Sequence, residues 1–321
     1  MVTRITRGLV FSWCLLALPA AVFAQAYPSK PIRIVVPFGP GSATDTIARM
    51  LAEKAGKTLG TTLVVDNKPG ANGLLAAREV VNAPKDGYTI MVSSNSAHAA
   101  NQYLYKDLGY DPVKDFAPIT GLTINPHVLV VRASLPVQNM KEFIQYGKDN
   151  PGKLNFGAGN TGSLANASLV KTMAGFTAVD VQYKSPPAAV VDLLGGRIDF
   201  LSVDYFIVND HIKTGSLRPL AVTSRSRLAA LPNVPTVSET LPGYELNGWV
   251  AAFAPAGTPP EIIAKLNGAF REFINSPEFQ DYMNKQGMQG FATTPAELGA
   301  FQKEQVVLWA DVLKKAGVER E

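Results

Sequence analysis

The chain is 321 residues long with 46% hydrophobic and 17% charged residues, which supplies enough apolar material for a packed core and too little charge for a disordered polymer. Its 30 Lys+Arg against 26 Asp+Glu give a formal charge of +4 with no basic run, which excludes a nucleic-acid binder that works by phosphate neutralisation. The single cysteine, Cys14, excludes a disulfide framework.

Residues 1–26 read "MVTRITRGLVFSWCLLALPAAVFAQA": two arginines, an apolar stretch from Leu9 to Val22, then small residues at Ala24 and Ala26. That order is a secretory signal peptide, too short and too broken by proline to span a bilayer, with cleavage expected after Ala24 or Ala26. Cys14 lies inside it, so the exported chain is expected to have no thiol, disulfide or metal site built on cysteine. No later segment reaches membrane-spanning length, and the remaining chain of about 295 residues is sized for two domains.

From Lys30 onward, short β-branched runs alternate with stretches of helical period, which argues for parallel βαβ units. "PIRIVVPF" is the first strand, and Ile47, Met50, Leu51, Ala55 and Leu59 mark an amphipathic helix ending near Gly60. "TTLVVDN", "NGLLAAREVVNAP", "GYTIMVSS" and "NSAHAANQYLY" continue as strand, helix, strand, helix. "APITGLTINPHVLVVR" (117–132) is a long extended run with proline in its middle, and "SLRPLAVTSRS" (216–226) is a second. Seven alternating helices and strands lie between them, and after Leu228 come a proline-rich loop, the strand "GWVAAFAP" and helices after Pro260, Ser276 and Thr294. This order predicts one domain (27–123 plus 223–321) interrupted by another (124–222), joined by a two-strand hinge near Ile124 and Val222.

In such folds a ligand lies beyond the carboxyl ends of the strands, against helix N-termini that favour anions. Four strand-to-helix junctions, "PFGPGSATD", "SSNSAH", "GAGNTGSLA" and "QYKSPPA", are rich in hydroxyl, amide and glycine residues. Phe38, Gly41, Ser42, Thr44 and Asp45 come from the first, with Ser42 and Asp45 forming an S-x-x-D pair that fixes the loop. Ser93, Ser94 and Ser96 come from the second, and Asn160, Thr161, Gly162 and Ser163 from the third. Lys184 and Asp204 end strands of the inserted block, where Lys184 would neutralise a second carboxylate.

Other chemistry fails on spacing. Gly157, Gly159 and Gly162 match G-x-G-x-x-G, but Asp180 opens the next strand instead of closing it, at the wrong end of the sheet for a ribose. "SLVK" (Ser168–Lys171) and "KTG" (Lys213–Gly215) match two of three motifs of penicillin-recognising serine enzymes, but the third is absent and Ser168 falls within a helix. His98, His127 and His211 show no metal-ligand spacing, so no cofactor or metal is expected.

"YPSKPIRIVVPFGPGSATDTIAR", "VVDNKPGANG", "YDPVKDFAPIT", "NFGAGNTGS", "VQYKSPPAAVVDLLGGRIDF", "RPLAVTSRSRLAALPNVPT" and "FAPAGTPPEIIAKLN", in that order, make the chain similar to the periplasmic solute-binding proteins of tripartite tricarboxylate transporters, the Bug family. The resemblance implies an α/β periplasmic-binding-protein fold of type II, a two-domain Venus flytrap with a two-strand hinge. It also implies no catalysis, a periplasmic monomer, a small carboxylate held in the cleft and delivery to membrane permease subunits, with no nucleic-acid partner. A sensor reporting to a signalling protein would use the same site. Ser42, Ser185 and Asn166 depart from the family's usual glycine, glycine and histidine, so ligand identity is not inherited.

Overall fold

The computed structural model describes residues 27–320; the signal sequence expected over 1–26 lies outside the described residues. Its first strand, β1 (Ile32–Val36), buries Ile32, Ile34 and Val36 on one face and Val35 on the other, because helices cover both sides of its sheet, while Arg33 pairs with Asp66 and Glu79. It runs parallel to β2 (Leu63–Asn67) and β3 (Thr89–Ser94), with α1 (Ala43–Leu59) and α2 (Leu74–Val81) as crossovers. After β3 the chain widens into a π turn over 96–100 before the single turn α3 (Asn101–Leu104), so the helix expected there is short and irregular.

The long run forms β4 (Phe116–Arg132), one strand shared by two sheets. Phe116–Pro126 pair antiparallel with β9 (Asn247–Pro255), which also pairs with β3. From His127 onward β4 pairs with β7 (Phe200–Asp204) and β8 (Leu217–Val222). Pro126 stands at the last register with β9, where its missing N–H interrupts neither ladder internally. The second sheet is completed by β5 (Leu154–Ala158), parallel to β7 and to the edge strand β6 (Ala178–Gln182). Its crossovers are α4 (Met140–Asp149), α5 (Thr161–Ala174), α6 (Pro186–Leu194) and α7 (Tyr205–Lys213). The second extended run stops at Val222, and an irregular segment over 223–246, broken by Pro232, Pro235 and Pro242, returns the chain to β9.

α8 (Pro260–Ile274) and α9 (Pro277–Lys285) precede the short β10 (Gln289–Gly290), which pairs with β4 at Ile124. The last helix, α10 (Pro295–Lys315), starts with a capping box of Thr294 and Glu297. Trp309, Val312 and Leu313 of α10 join one apolar cluster with Leu164, Leu169 and Phe156, so this helix ties both halves together. Separate clusters fill the α1–α8 face of the first sheet and the α6–α7 side of the second.

Candidate functional site

The β1–α1 loop is held from two sides. Gly41 adopts φ 79, a left-handed conformation that suits glycine, and Ser42 caps α1 by accepting from Asp45 N at 3.2 Å. The reciprocal bond lands one residue early: Asp45 Oδ2 accepts from Gly41 N at 3.0 Å. The same carboxylate, 3% exposed, accepts from Asn67 Nδ2 at 2.9 Å and from Arg49 Nε at 3.0 Å, while Asn67 Nδ2 also reaches Phe38 O at 2.8 Å. Asp45 and Ser42 are therefore braces, and Ala43 and Thr44 are presented to a cavity between the sheets. Phe38 is buried but belongs to none of the three apolar clusters.

At the end of β3, Ser94 lines the cavity and its hydroxyl accepts from Ser96 N at 3.3 Å. Ser93 points elsewhere, its hydroxyl buried without a protein partner. Ser96 Oγ accepts from Thr161 N at 3.3 Å and Thr161 Oγ1 donates to Asn101 Oδ1 at 2.7 Å, so both residues join the two halves beside the cavity. His98 turns into the core, stacked on Phe253 with ring centroids 3.8 Å apart, and burial pushes its pKa down to about 3.

Across the cleft, Asn160 caps α5 by accepting from Ser163 N at 2.7 Å and also lines the cavity. The three fingerprint glycines have ordinary φ values, so they are small because of what packs on them. A Cβ on Gly157 would lie 2.7 Å from Ile198 Cδ1, one on Gly159 would lie 2.5 Å from Pro186 Cα, and one on Gly162 would lie 3.3 Å from His127 Cε1. Asp180 sits mid-strand on an exposed edge. Lys184 is exposed and does not line the cavity, so the expected neutralising cation is not brought to it.

Residues that the sequence did not single out complete the site, Asn95, Asn125, His127 and Trp249, with Tyr244 as the partner of Asn166. Asn125 and His127 alternate on one face of β4, and His127 pairs in register with Asp204. Their signal was a polar i, i+2 pattern, Thr123-Asn125-His127, inside an otherwise apolar strand. Tyr244 OH donates to Asn166 Oδ1, which makes the Asn166 Nδ2 group the donor to Gly162 O at 3.0 Å and to His127 Nδ1 at 3.4 Å. His127 Nδ1 is thereby the ring's acceptor and Nε2 carries the hydrogen, 4.0 Å from Asp204 Oδ1. Full burial keeps His127 neutral by lowering its pKa, opposed by Asp204. Asn125 Nδ2 donates to Asp204 Oδ1 at 3.1 Å.

These groups close around a cavity of ≈ 20 Å³, on the order of one or two waters. Among the described residues no group of three metal-ligating side chains exists, and no helix is long and apolar enough to cross a membrane.

Residues 47–318 match the model of the TctC family, described as the tripartite tricarboxylate transporter family receptor. The chain belongs to this family. The receptor is similar over 92% of its length to the periplasmic binding protein BugD, at 34% identity, TM-score 0.88 and full coverage of that chain. An R. palustris protein solved with adipate matches at 32% identity and TM-score 0.89, covering 92% of this chain and 100% of that one. MatC from Rhodopseudomonas palustris, with bound malate, matches at 30% identity and TM-score 0.84, covering 89% and 100%. The receptor thus has the mixed α/β periplasmic-binding-protein fold expected from its sequence and is a transport solute receptor of a binding-protein family, not an enzyme.

Proposed function

We propose that this receptor captures a small carboxylate between its two halves in the periplasm and delivers it to the permease subunits of a tripartite tricarboxylate-type transporter. One observation carries the reading: helix N-termini from both halves converge on a single buried polar cavity. Thr44 from the first turn of α1, Asn95 ahead of the π turn, Asn160 capping α5 and Asp204 preceding α7 all line it. Unpaired N–H groups at such termini carry roughly half a positive charge, which favours an anion without a cationic side chain. The adipate and malate bound by the two similar structures support a carboxylate.

Ligand contacts fall to Thr44, Ser94, Asn95 and Asn160, with Phe38, Gly41, Ser42, Asp45, Ser93, Ser96, Thr161, Gly162 and Ser163 shaping and closing the loops around them. Entry is by opening of the domains 27–123 plus 223–321 and 124–222 about a hinge near Ile124 and Val222.

Thermal unfolding of the exported chain against a panel of mono-, di- and tricarboxylates tests this. A ligand at a hundred times its dissociation constant adds about 2.7 kcal/mol of stability. A shift with one class supports the receptor reading, and no shift with any carboxylate overturns it.

A further inference from the structure

Asp204 is 6% exposed, it lines the cavity, and no cation accompanies it there. Although it occupies the N-cap position of α7, its side chain makes no capping bond and turns instead toward β4. One oxygen, Oδ1, accepts from Asn125 Nδ2 at 3.1 Å and lies 4.0 Å from the neutral His127. The other oxygen takes no hydrogen bond within the chain. Beside it, Asn125 Oδ1 is buried without a partner, because the amide's donor end is committed to Asp204. The same lining also holds a free donor: Asn95 Oδ1 accepts from Trp249 N at 3.4 Å, which leaves Asn95 Nδ2 as an unpaired buried donor.

From this division of free donors and acceptors we infer that the ligand carries a protonated amine, which docks on Asp204 and Asn125 while its carboxylate faces Asn95 and the α1 and α5 N-termini. The inference rests on the receptor reading above and narrows it to ammonium-bearing carboxylates. A buried carboxylate without a cation is costly, and a ligand ammonium offsets that cost while supplying three donors to the two free acceptors. A hydroxyl supplies one donor and no charge. A plain dicarboxylate would bring its second negative charge against Asp204 with no lysine or arginine among the lining residues to neutralise it.

The experiment is calorimetric titration of the full exported chain with matched pairs that differ only in the amine: glutamate and glutarate, aspartate and succinate, 5-aminovalerate and valerate. Malate serves as the hydroxyl control. The expected result is that at least one amine-bearing acid binds at least a hundredfold tighter than its partner without the amine, and that Asp204→Asn narrows this ratio at least tenfold. The pairwise comparison on the unaltered chain needs no variant, so a misfolded Asp204→Asn leaves it decisive. Tighter binding of succinate, glutarate or malate than of every amine-bearing acid overturns the inference and leaves the receptor reading intact. No binding of any carboxylate overturns both.

Discussion

Asp45→Ala tests whether the β1–α1 loop is held as described. The substitution removes the acceptor for Gly41 N, at 3.0 Å, and for Asn67 Nδ2, at 2.9 Å, both partly buried. Hydrogen bonds to a charged group contribute about 1.5–3 kcal/mol each, partly offset because a buried carboxylate no longer has to be desolvated. Arg49 is 53% exposed, so losing its partner adds no more than about 1 kcal/mol. The net expectation is a destabilisation of about 3 kcal/mol, with ligand affinity falling at least tenfold as Thr44 loses its fixed position. Denaturant unfolding gives the first quantity and titration with the tightest carboxylate gives the second. Arg49→Ala, which removes only the exposed partner, should cost no more than about 1 kcal/mol. An Asp45→Ala protein within about 0.5 kcal/mol of wild type, the range of ordinary surface substitutions, would refute the bracing role.

The two buried histidines set a pH dependence. Burial lowers both pKa values, that of His98 from about 6.5 in the unfolded chain to about 3, so between those limits only the unfolded state protonates His98. The His98 contribution is complete above pH ~6.5 and is lost as pH falls toward about 3, at roughly 1.4 kcal/mol per unit, and the His127 contribution is lost in the same direction. Stability measured from pH 7 to 4 should lose one proton's worth of slope in His98→Phe; an unaltered slope would contradict its neutral burial. Gly159→Ala would set a Cβ 2.5 Å from the Pro186 backbone, and the overpacking should cost about 1–3 kcal/mol by thermal melt, whereas a neutral result would show that the loops are not in contact. Tyr244→Phe leaves Asn166 Oδ1 without its donor, a loss of about 1–3 kcal/mol by denaturant unfolding, and an unchanged midpoint would dissolve the relay to His127.

The alternating strand and helix order, the long shared strand and the polar strand-to-helix junctions were legible because they are written locally, in hydrophobic period, glycine and capping residues. Thr44, Ser94 and Asn160 belong to those junctions and line the cavity, and Asp45 accepts the Gly41 N–H of its own loop. Asn125 and His127 were not legible, because inside an apolar strand a polar residue gains meaning only from what lies opposite it. Lys184 shows the converse error: position after a strand was read as direction, and its side chain went to solvent. The fingerprint glycines were recognised as a pattern, but their reason lies in Ala189, Ile198, Pro186 and His127, which touch them from distant parts of the chain. The elements, their order and the helix termini available to an anion follow from the amino-acid order alone, since backbone hydrogen bonding and hydrophobic period act over a few residues. Which termini meet, that Asp204 enters the cavity without a cation, and which way Asn95, Asn125 and His127 present their donors were settled only by the fold, since those depend on contacts between groups 39 to 154 residues apart.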